Sequence, residues 1–229
     1  MSVIYCLIKI CERESYADDF LSGCMYMNRL RYFTQIEDHD QRSDKYEGLT
    51  SWMQPNQIQL FIKDHLITDI IHPLTIRKKQ DENCPILCLY TIHSGPYHSI
   101  NEDNIIEFKK CIKVKDIVRS FGDSAVLITN VTEFLKRFRS TAQKKGIGFE
   151  ASLVEYFSYD SHNPNFDRPG FHKLKKYSDQ NEYRIKLYLD DDLETPYRIE
   201  IGDLSDIAVK MTTNDLLAKN VEIIFPNQF

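Results

Sequence analysis

The chain is short of the residues that loop or break a backbone, with 8 glycines and 8 prolines among 229 positions. Low-complexity linkers are therefore not expected. Neither glycine-rich phosphate loop is present, of the dinucleotide or the Walker type, and there is no Gly-x-Ser-x-Gly elbow and no His-Glu-x-x-His helix. These absences exclude the common dinucleotide oxidoreductases, P-loop enzymes, elbow-serine hydrolases and zincins. No apolar run approaches the ~20 residues of a membrane span. The start, Met1-Ser2-Val3-Ile4-Tyr5-Cys6, lacks a basic region followed by a long apolar stretch. A cytoplasmic chain with no membrane partner is the expectation. The six cysteines show no framework spacing and read as free thiols.

What is present is ordinary globular material, 42% hydrophobic and 28% charged, with 13 Tyr and 13 Phe. Such an aromatic share suits a ring-lined pocket as well as a core. The length fits one domain spanning residues 1–229. A net charge of −5 gives no overall attraction to a polyanion, so a nucleic-acid partner would need a local basic face. Lys136, Arg137, Arg139, Lys144 and Lys145 supply one on a predicted helix.

Patterning predicts strands at Ser2–Ile10, Cys24–Asn28, Ile58–Ile62, Leu66–Ile71, Leu74–Arg77, Pro85–His93, Ser124–Thr129 and Gly148–Tyr159. Later strands are expected at Glu182–Leu189, Tyr197–Ile201, Ile207–Met211 and Val221–Phe225. A helix is expected over Glu12–Ser22, with Tyr16, Phe20 and Leu21 inward and Gly23 as its stop. Another begins at Val131, with Asn130 and Glu133 in a capping-box pattern, and a helical turn covers Asp215–Lys219. Gln35–Gly48 is a long polar loop, a form that is usually functional or mobile. Short strands with a few helices, not alternating, indicate α+β.

Cys84, Cys88, His93 and His98 have the elements of a zinc site. In an extended strand, however, Cys84 and Cys88 stand ~13 Å apart, and Pro85-Ile86-Leu87 is a poor knuckle for a tetrahedral ion. Core strand cysteines are the preferred reading. A metal-independent nuclease using His93 or His98 finds no paired acid–base spacing.

The remaining candidate is Tyr177-Ser178-Asp179-Gln180-Asn181-Glu182-Tyr183-Arg184. Gln180 and Glu182, two apart at the start of a strand, would leave the same face. A carboxylate fixed beside an anomeric carbon stabilises an oxocarbenium-like transition state, and a neighbouring amide orients a nucleophile. The same spacing at Glu12–Glu14, Gln35–Glu37 and Gln80–Glu82 falls on helix or loop surface. Arg184 is expected to pair with Glu182 or with a neighbour.

This Gln-x-Glu entry into a strand resembles the third signature of the ADP-ribosyltransferase superfamily, whose members cleave NAD and transfer ADP-ribose. The run from Phe171-His172-Lys173 to Ile185 is similar to the C-terminal signature of little-characterised microbial members. Phe20-Leu21-Ser22-Gly23-Cys24-Met25-Tyr26-Met27-Asn28, with Tyr32-Phe33, resembles their second strand, and Arg42-x-Asp44-x-x-Glu47-Gly48 the polar segment after it. The resemblance implies a split antiparallel or mixed sheet and NAD as substrate. It makes Glu182 and Gln180 catalytic, with Glu182 on the nicotinamide ribose and Gln180 on the acceptor. It places Tyr26, Asn28, Tyr32, Phe33, Arg42 and Asp44 around NAD. Lys9 and Tyr5 lie on the strand where classical members carry an arginine or histidine, and Asn28 stands where many have serine or threonine. A toxin or defence effector of bacterial or phage-linked type follows, with a protein or nucleic-acid acceptor and room for a restraining partner protein. The contrasting reading is a relative that keeps the fold and binds without turnover.

Overall fold

The structure, a computed structural model, describes residues 2–36, 43–164, 166–191 and 193–218. Arg42 and the strand expected at Val221–Phe225 lie outside the described residues. The chain opens with β1 (Ile4–Cys11), α1 (Glu14–Leu21), β2 (Cys24–Arg29) and a single turn α2 (Tyr32–Gln35). An excursion of short strands follows: β3 (Leu49–Met53), β4 (Leu60–Ile62), β5 (His65–Ile67) and β6 (Leu74–Arg77). Then come α3 (Lys79–Glu82), β7 (Pro85–His93), α4 (Ile105–Ile112), β8 (Ser124–Ile128) and α5 (Val131–Lys144). The last third holds β9 (Gly148–Leu153), β10 (Glu155–Phe157), β11 (His172–Leu174), β12 (Glu182–Tyr188), β13 (Tyr197–Glu200), β14 (Ala208–Thr212) and α6 (Thr213–Ala218).

The architecture is mixed α+β around an eight-stranded sheet, with β7 at its centre. Among the described residues every strand pair in that sheet is antiparallel, and only β10–β11 pairs parallel. The apolar run Pro-Ile-Leu-Cys-Leu-Tyr-Thr-Ile-His suits β7 to a position covered on both faces, where alternation is not required. One edge of β7 pairs with β12, from Glu182↔Tyr90 to Lys186↔Ile86. The other edge is shared. β1 takes its C-terminal end (Ile4↔His93 to Ile8↔Tyr90), and β2 takes its first residues (Asn28↔Ile86, Arg29↔Pro85).

Between these two ladders the sheet splits. From the split β1 runs on along β8, and β2 runs along β13. Lys9 Nζ reaches across the gap and donates to the Cys88 carbonyl at 3.3 Å.

Helices close both faces. On one, Ala17 and Phe20 of α1 and Phe134, Phe138 and Ala142 of α5 pack on Leu7, Leu87, Leu89, Val126 and Ile185. On the other, Phe108 and Ile112 of α4 and Leu216 of α6 cover Ile8, Tyr90, Ile92 and Ala125. The 134/138/142 spacing keeps three side chains in a single stripe along one helical face. Asn130 caps α5 by accepting from the Glu133 amide at 3.0 Å. Gly23 ends α1 at φ 99°, and a Cβ there would lie 2.1 Å from the Gly202 carbonyl oxygen, so no larger residue fits.

Several expectations change. Tyr16 is half exposed, because α1 is seated through Ala17 and Phe20. Gly148–Tyr159 divides at Val154 into β9, which pairs with β12, and β10, which pairs with β11. α4 is not among the expected helices, although Asn104 and Glu107 repeat the Asn130/Glu133 spacing; in the structure the Asn104 side chain accepts from the Asn101 amide and does not cap the helix. Within β12, Arg184 and Lys186 are as buried as Ile185 and Leu187, so charge alternation there does not mark a wet face. No helix among the described residues is long and apolar enough to cross a membrane.

Candidate active site

The split between β1 and β2 opens into a cavity of about 710 Å³. Its walls bring together residues from both ends of the chain. Lys9 comes from β1, Tyr26 and Asn28 from β2, and Tyr32 and Phe33 from α2. Cys88 forms the floor, and Gln180 and Glu182 lie where β12 begins. Tyr32 and Phe33 meet edge to face with centroids 5.3 Å apart, and the Arg198 guanidinium lies 5.5 Å from the Tyr26 ring centre at the rim.

Gln180 and Glu182 do not converge as alternate residues of one strand. Gln180 ends a 3-10 turn over Lys175–Gln180, Asn181 takes a left-handed conformation at φ 45°, and Glu182 starts β12. Asparagine tolerates that conformation better than most side chains. Here its amide is also anchored: Nδ2 donates to the Thr91 carbonyl at 2.7 Å, and Oδ1 lies 3.1 Å from His93 Nε2. What joins the two candidate residues is Lys173, whose Nζ sits 2.6 Å from Gln180 Oε1 and 3.2 Å from Glu182 Oε1.

A buried ionic network supports the carboxylate. Arg184 donates through Nε to Glu182 Oε2 at 2.9 Å, and with its two terminal nitrogens to both oxygens of Glu47 at 2.8 and 2.6 Å. Lys173 also lies 3.5 Å from Glu47. The Glu182 side chain keeps 13% of its surface exposed while Arg184, Lys173 and Glu47 keep 3% or less, so Glu182 is the most exposed member of the network, and it lines the cavity together with Lys173. The Glu182 amide donates to the Tyr156 hydroxyl at 3.0 Å, which fixes the first residue of β12 from behind.

Burial would raise the Glu182 carboxyl, but the Arg184 and Lys173 cations outweigh it and hold it below the ordinary glutamate value. Burial works against the Lys173 charge too, and the Glu182 and Glu47 carboxylates more than restore it. The Cys88 thiol is pushed up to about 11 by burial and by the nearby Glu182 charge. A cavity-facing carboxylate kept ionised, with two cations behind it, can accept hydrogen bonds from sugar hydroxyls and stabilise positive charge developing on a ring carbon.

Not every expected residue lies there. Tyr5 packs edge to face on Phe108 of α4, 6.3 Å between centroids, is itself exposed, and does not line the cavity. Asp44 is buried behind the site beside Glu47. Its Oδ1 accepts from the Tyr46 amide, Oδ2 has no partner, and burial followed by the Glu47 charge raises its carboxyl to about 6. An NAD contact through Asp44 does not fit that position. Arg42 lies outside the described residues.

Lys173, Glu47 and Arg184 are what single-sequence reasoning missed as a group. A lysine two residues beyond Phe171 and a glutamate in a polar loop look solvated, and only their burial identifies them. No group of three or more His, Cys, Asp or Glu that could hold a metal ion forms among the described residues. Cys84 Sγ lies 3.4 Å from the Gln80 carbonyl, and Cys88 faces the cavity. The basic surface of α5 is partly spent: Arg137 pairs with Glu133 and Asp206, Lys136 with Glu133, and Arg139 covers the Phe149 ring.

Comparison of the chain with protein-family models, curated proteins and solved structures gives no match.

Proposed function

We propose that the chain is an NAD-dependent ADP-ribosyltransferase, and that its split sheet is of the ADP-ribosyltransferase type. The single observation behind this reading is the cavity in the split. It joins Glu182 and Gln180 from one end of the sequence with Tyr26, Asn28, Tyr32 and Phe33 from the other, in a space large enough for a dinucleotide end.

In this reading nicotinamide lies among the rings of Tyr26, Tyr32 and Phe33. Glu182 accepts a hydroxyl of the nicotinamide ribose. As the bond between ribose carbon and ring nitrogen breaks, its electron pair leaves with nicotinamide, and positive charge grows on the ribose. The ionised Glu182 carboxylate opposes that charge. Gln180, whose carbonyl oxygen accepts from Lys173, positions the acceptor from the cavity wall. The acceptor's nucleophilic atom then bonds to the anomeric carbon and loses its proton to solvent. Lys9 and Arg198, both cationic and both on the wall, suit the pyrophosphate. A microbial effector acting on protein or nucleic acid, restrained by a partner, is the role consistent with such chemistry.

One observation favours the alternative, a module that binds without turnover. Each oxygen of Glu182 already faces a cation, Lys173 for one and Arg184 for the other. A carboxylate retains further lone pairs, so the clamp leaves room for a ribose hydroxyl.

The test is incubation with NAD labelled in its adenylate half, with and without cell extract, comparing the wild type with Glu182→Ala. Nicotinamide release and label transfer, reduced about 100-fold or more in the variant, support the enzyme. NAD binding without release supports the module. No NAD binding at millimolar concentration ends both.

A further inference from the structure

A second concavity lies on the other side of β11. Successive strand residues point to opposite faces, so Lys173 turns toward Glu182 while Leu174 turns into a groove of about 480 Å³. Lys45, Lys175, Lys176 and His72 line that groove together with Tyr46 and Tyr159, and among the described residues no carboxylate does. On a chain of net charge −5 this is a concentrated positive surface. Among the described residues, Lys45 and Lys176 have rings rather than acids as side-chain partners. Lys45 Nζ lies 4.8 Å from the Tyr46 ring centre, and Lys176 Nζ lies 4.6 Å from that of Tyr177.

The rings are held in place. Tyr46 and Tyr159 both pack edge to face on the fully buried Trp52, at 4.8 and 5.1 Å between centroids. Trp52 in turn donates to the Tyr159 carbonyl at 3.1 Å and packs on Phe157. An immobilised pair of tyrosines loses little entropy when a flat ligand stacks on it, and flanking ammonium groups match a spaced row of negative charges. That combination is what a single-stranded nucleic acid offers, since its bases are free to leave their own stack and its phosphates recur along the backbone. An acidic peptide would use the lysines and leave the rings idle.

We propose that this groove binds a single-stranded nucleic acid, phosphates on Lys45, Lys175 and Lys176 and a base against Tyr46 or Tyr159. The turn Lys175–Gln180 gives two lysines to the groove and Gln180 to the Glu182 cavity, so a strand held in the groove passes beside the cavity. Its role as acceptor rests on the NAD chemistry proposed above; its binding does not.

The experiment therefore contains no NAD. A fluorescent single-stranded RNA of mixed sequence is titrated with the full chain and read by anisotropy, alongside single-stranded DNA, a duplex and poly-glutamate as competitor. With three phosphate contacts at a salt slope of about −0.7 each, affinity falls about twentyfold between about 50 and about 200 mM salt. Lys45→Glu with Lys176→Glu weakens binding at least about tenfold and flattens the slope by about 1.4. Tyr159→Ala weakens single strands more than duplex. Lys144→Glu with Lys145→Glu, on α5, leaves affinity within about twofold of wild type. The altered lysines are exposed, and a matching circular dichroism melt verifies the fold. No binding at the lower salt, loss of binding in the α5 variant but not the groove variant, or stronger capture of poly-glutamate than of RNA overturns the proposal. Any of these leaves the NAD reading standing, and a failed NAD assay leaves the groove standing.

Discussion

Arg184 and Glu47, 137 positions apart in the chain, meet in a two-armed ion pair with both contacts at or below 2.8 Å and both side chains essentially without solvent exposure. The pair ties the polar loop after α2 to the strand that carries Glu182. A guanidinium can do this because it presents parallel donors to Glu47 and keeps Nε for Glu182.

Glu47→Gln strands that guanidinium. With one carboxylate removed from a buried network, the remaining cations are under-compensated, and a loss of about 3–5 kcal/mol is expected. Urea unfolding measures it. A loss below about 1 kcal/mol would mean that the network is solvated and contributes little.

Asp44→Asn should have the opposite effect at neutral pH. The Asp44 carboxyl is raised from 3.8 to about 6, so between those values the folded chain holds a proton that the unfolded chain has released. Stability therefore falls as pH rises through this window, by about 3 kcal/mol in all at about 1.4 per unit. The amide keeps the bond from the Tyr46 amide and carries no charge. Denaturation at pH 5 and pH 8 should show the variant gaining most at pH 8, with a flatter profile.

Glu182 carries the reverse sign. Its folded value lies below the ordinary 4.5, so its contribution is present above 4.5 and is lost as pH falls through the lower folded value. If the ionised carboxylate is the working form, the acid limb of NAD cleavage lies below 4.5. Lys173→Met removes one of its two cations and moves the limb upward. A limb that stays where it was in Lys173→Met would show that Lys173 serves only as packing.

Cys88 reports on the same charge from inside the cavity. Its thiol, pushed up to about 11 by burial and by Glu182, should react slowly with a small maleimide at neutral pH, since the thiolate is the nucleophile. In Glu182→Gln the charge that raises the Cys88 thiol is gone while the Arg184, Lys173 and Lys9 cations that lower it remain, and alkylation followed by peptide mass analysis should be several-fold faster. Equal rates would place Cys88 outside the reach of that carboxylate.

Much of the fold was legible because it rests on local rules. Pro85–His93 reads as a buried strand from its unbroken apolar run, and α5 reads from Asn130 and the 134/138/142 stripe. The excursion between β3 and β6 was less legible, with β3 passed over, because Trp52 is buried by Tyr46, Phe157 and Tyr159, distant in sequence. In the site, Glu182, Gln180, Tyr26, Asn28, Tyr32, Phe33 and Lys9 reach one cavity, whereas Tyr5 and Asp44 do not. A bulge between Ile4 and Cys6 shifts the β1 ladder, so strand alternation alone misplaces Tyr5.

By itself the sequence determined the long, strongly patterned elements such as β7 and α5, which residues are apolar enough to be cores, and that Glu182 opens a strand. Only the tertiary structure decided that β1 and β2 share one edge of β7 and leave a gap between them. It also decided that Lys173, Arg184 and Glu47 leave water to hold Glu182. Patterning along a chain reports what each residue prefers, but burying a charge becomes tolerable only when its counter-charge arrives from another part of the chain, and that meeting is not written in any local stretch.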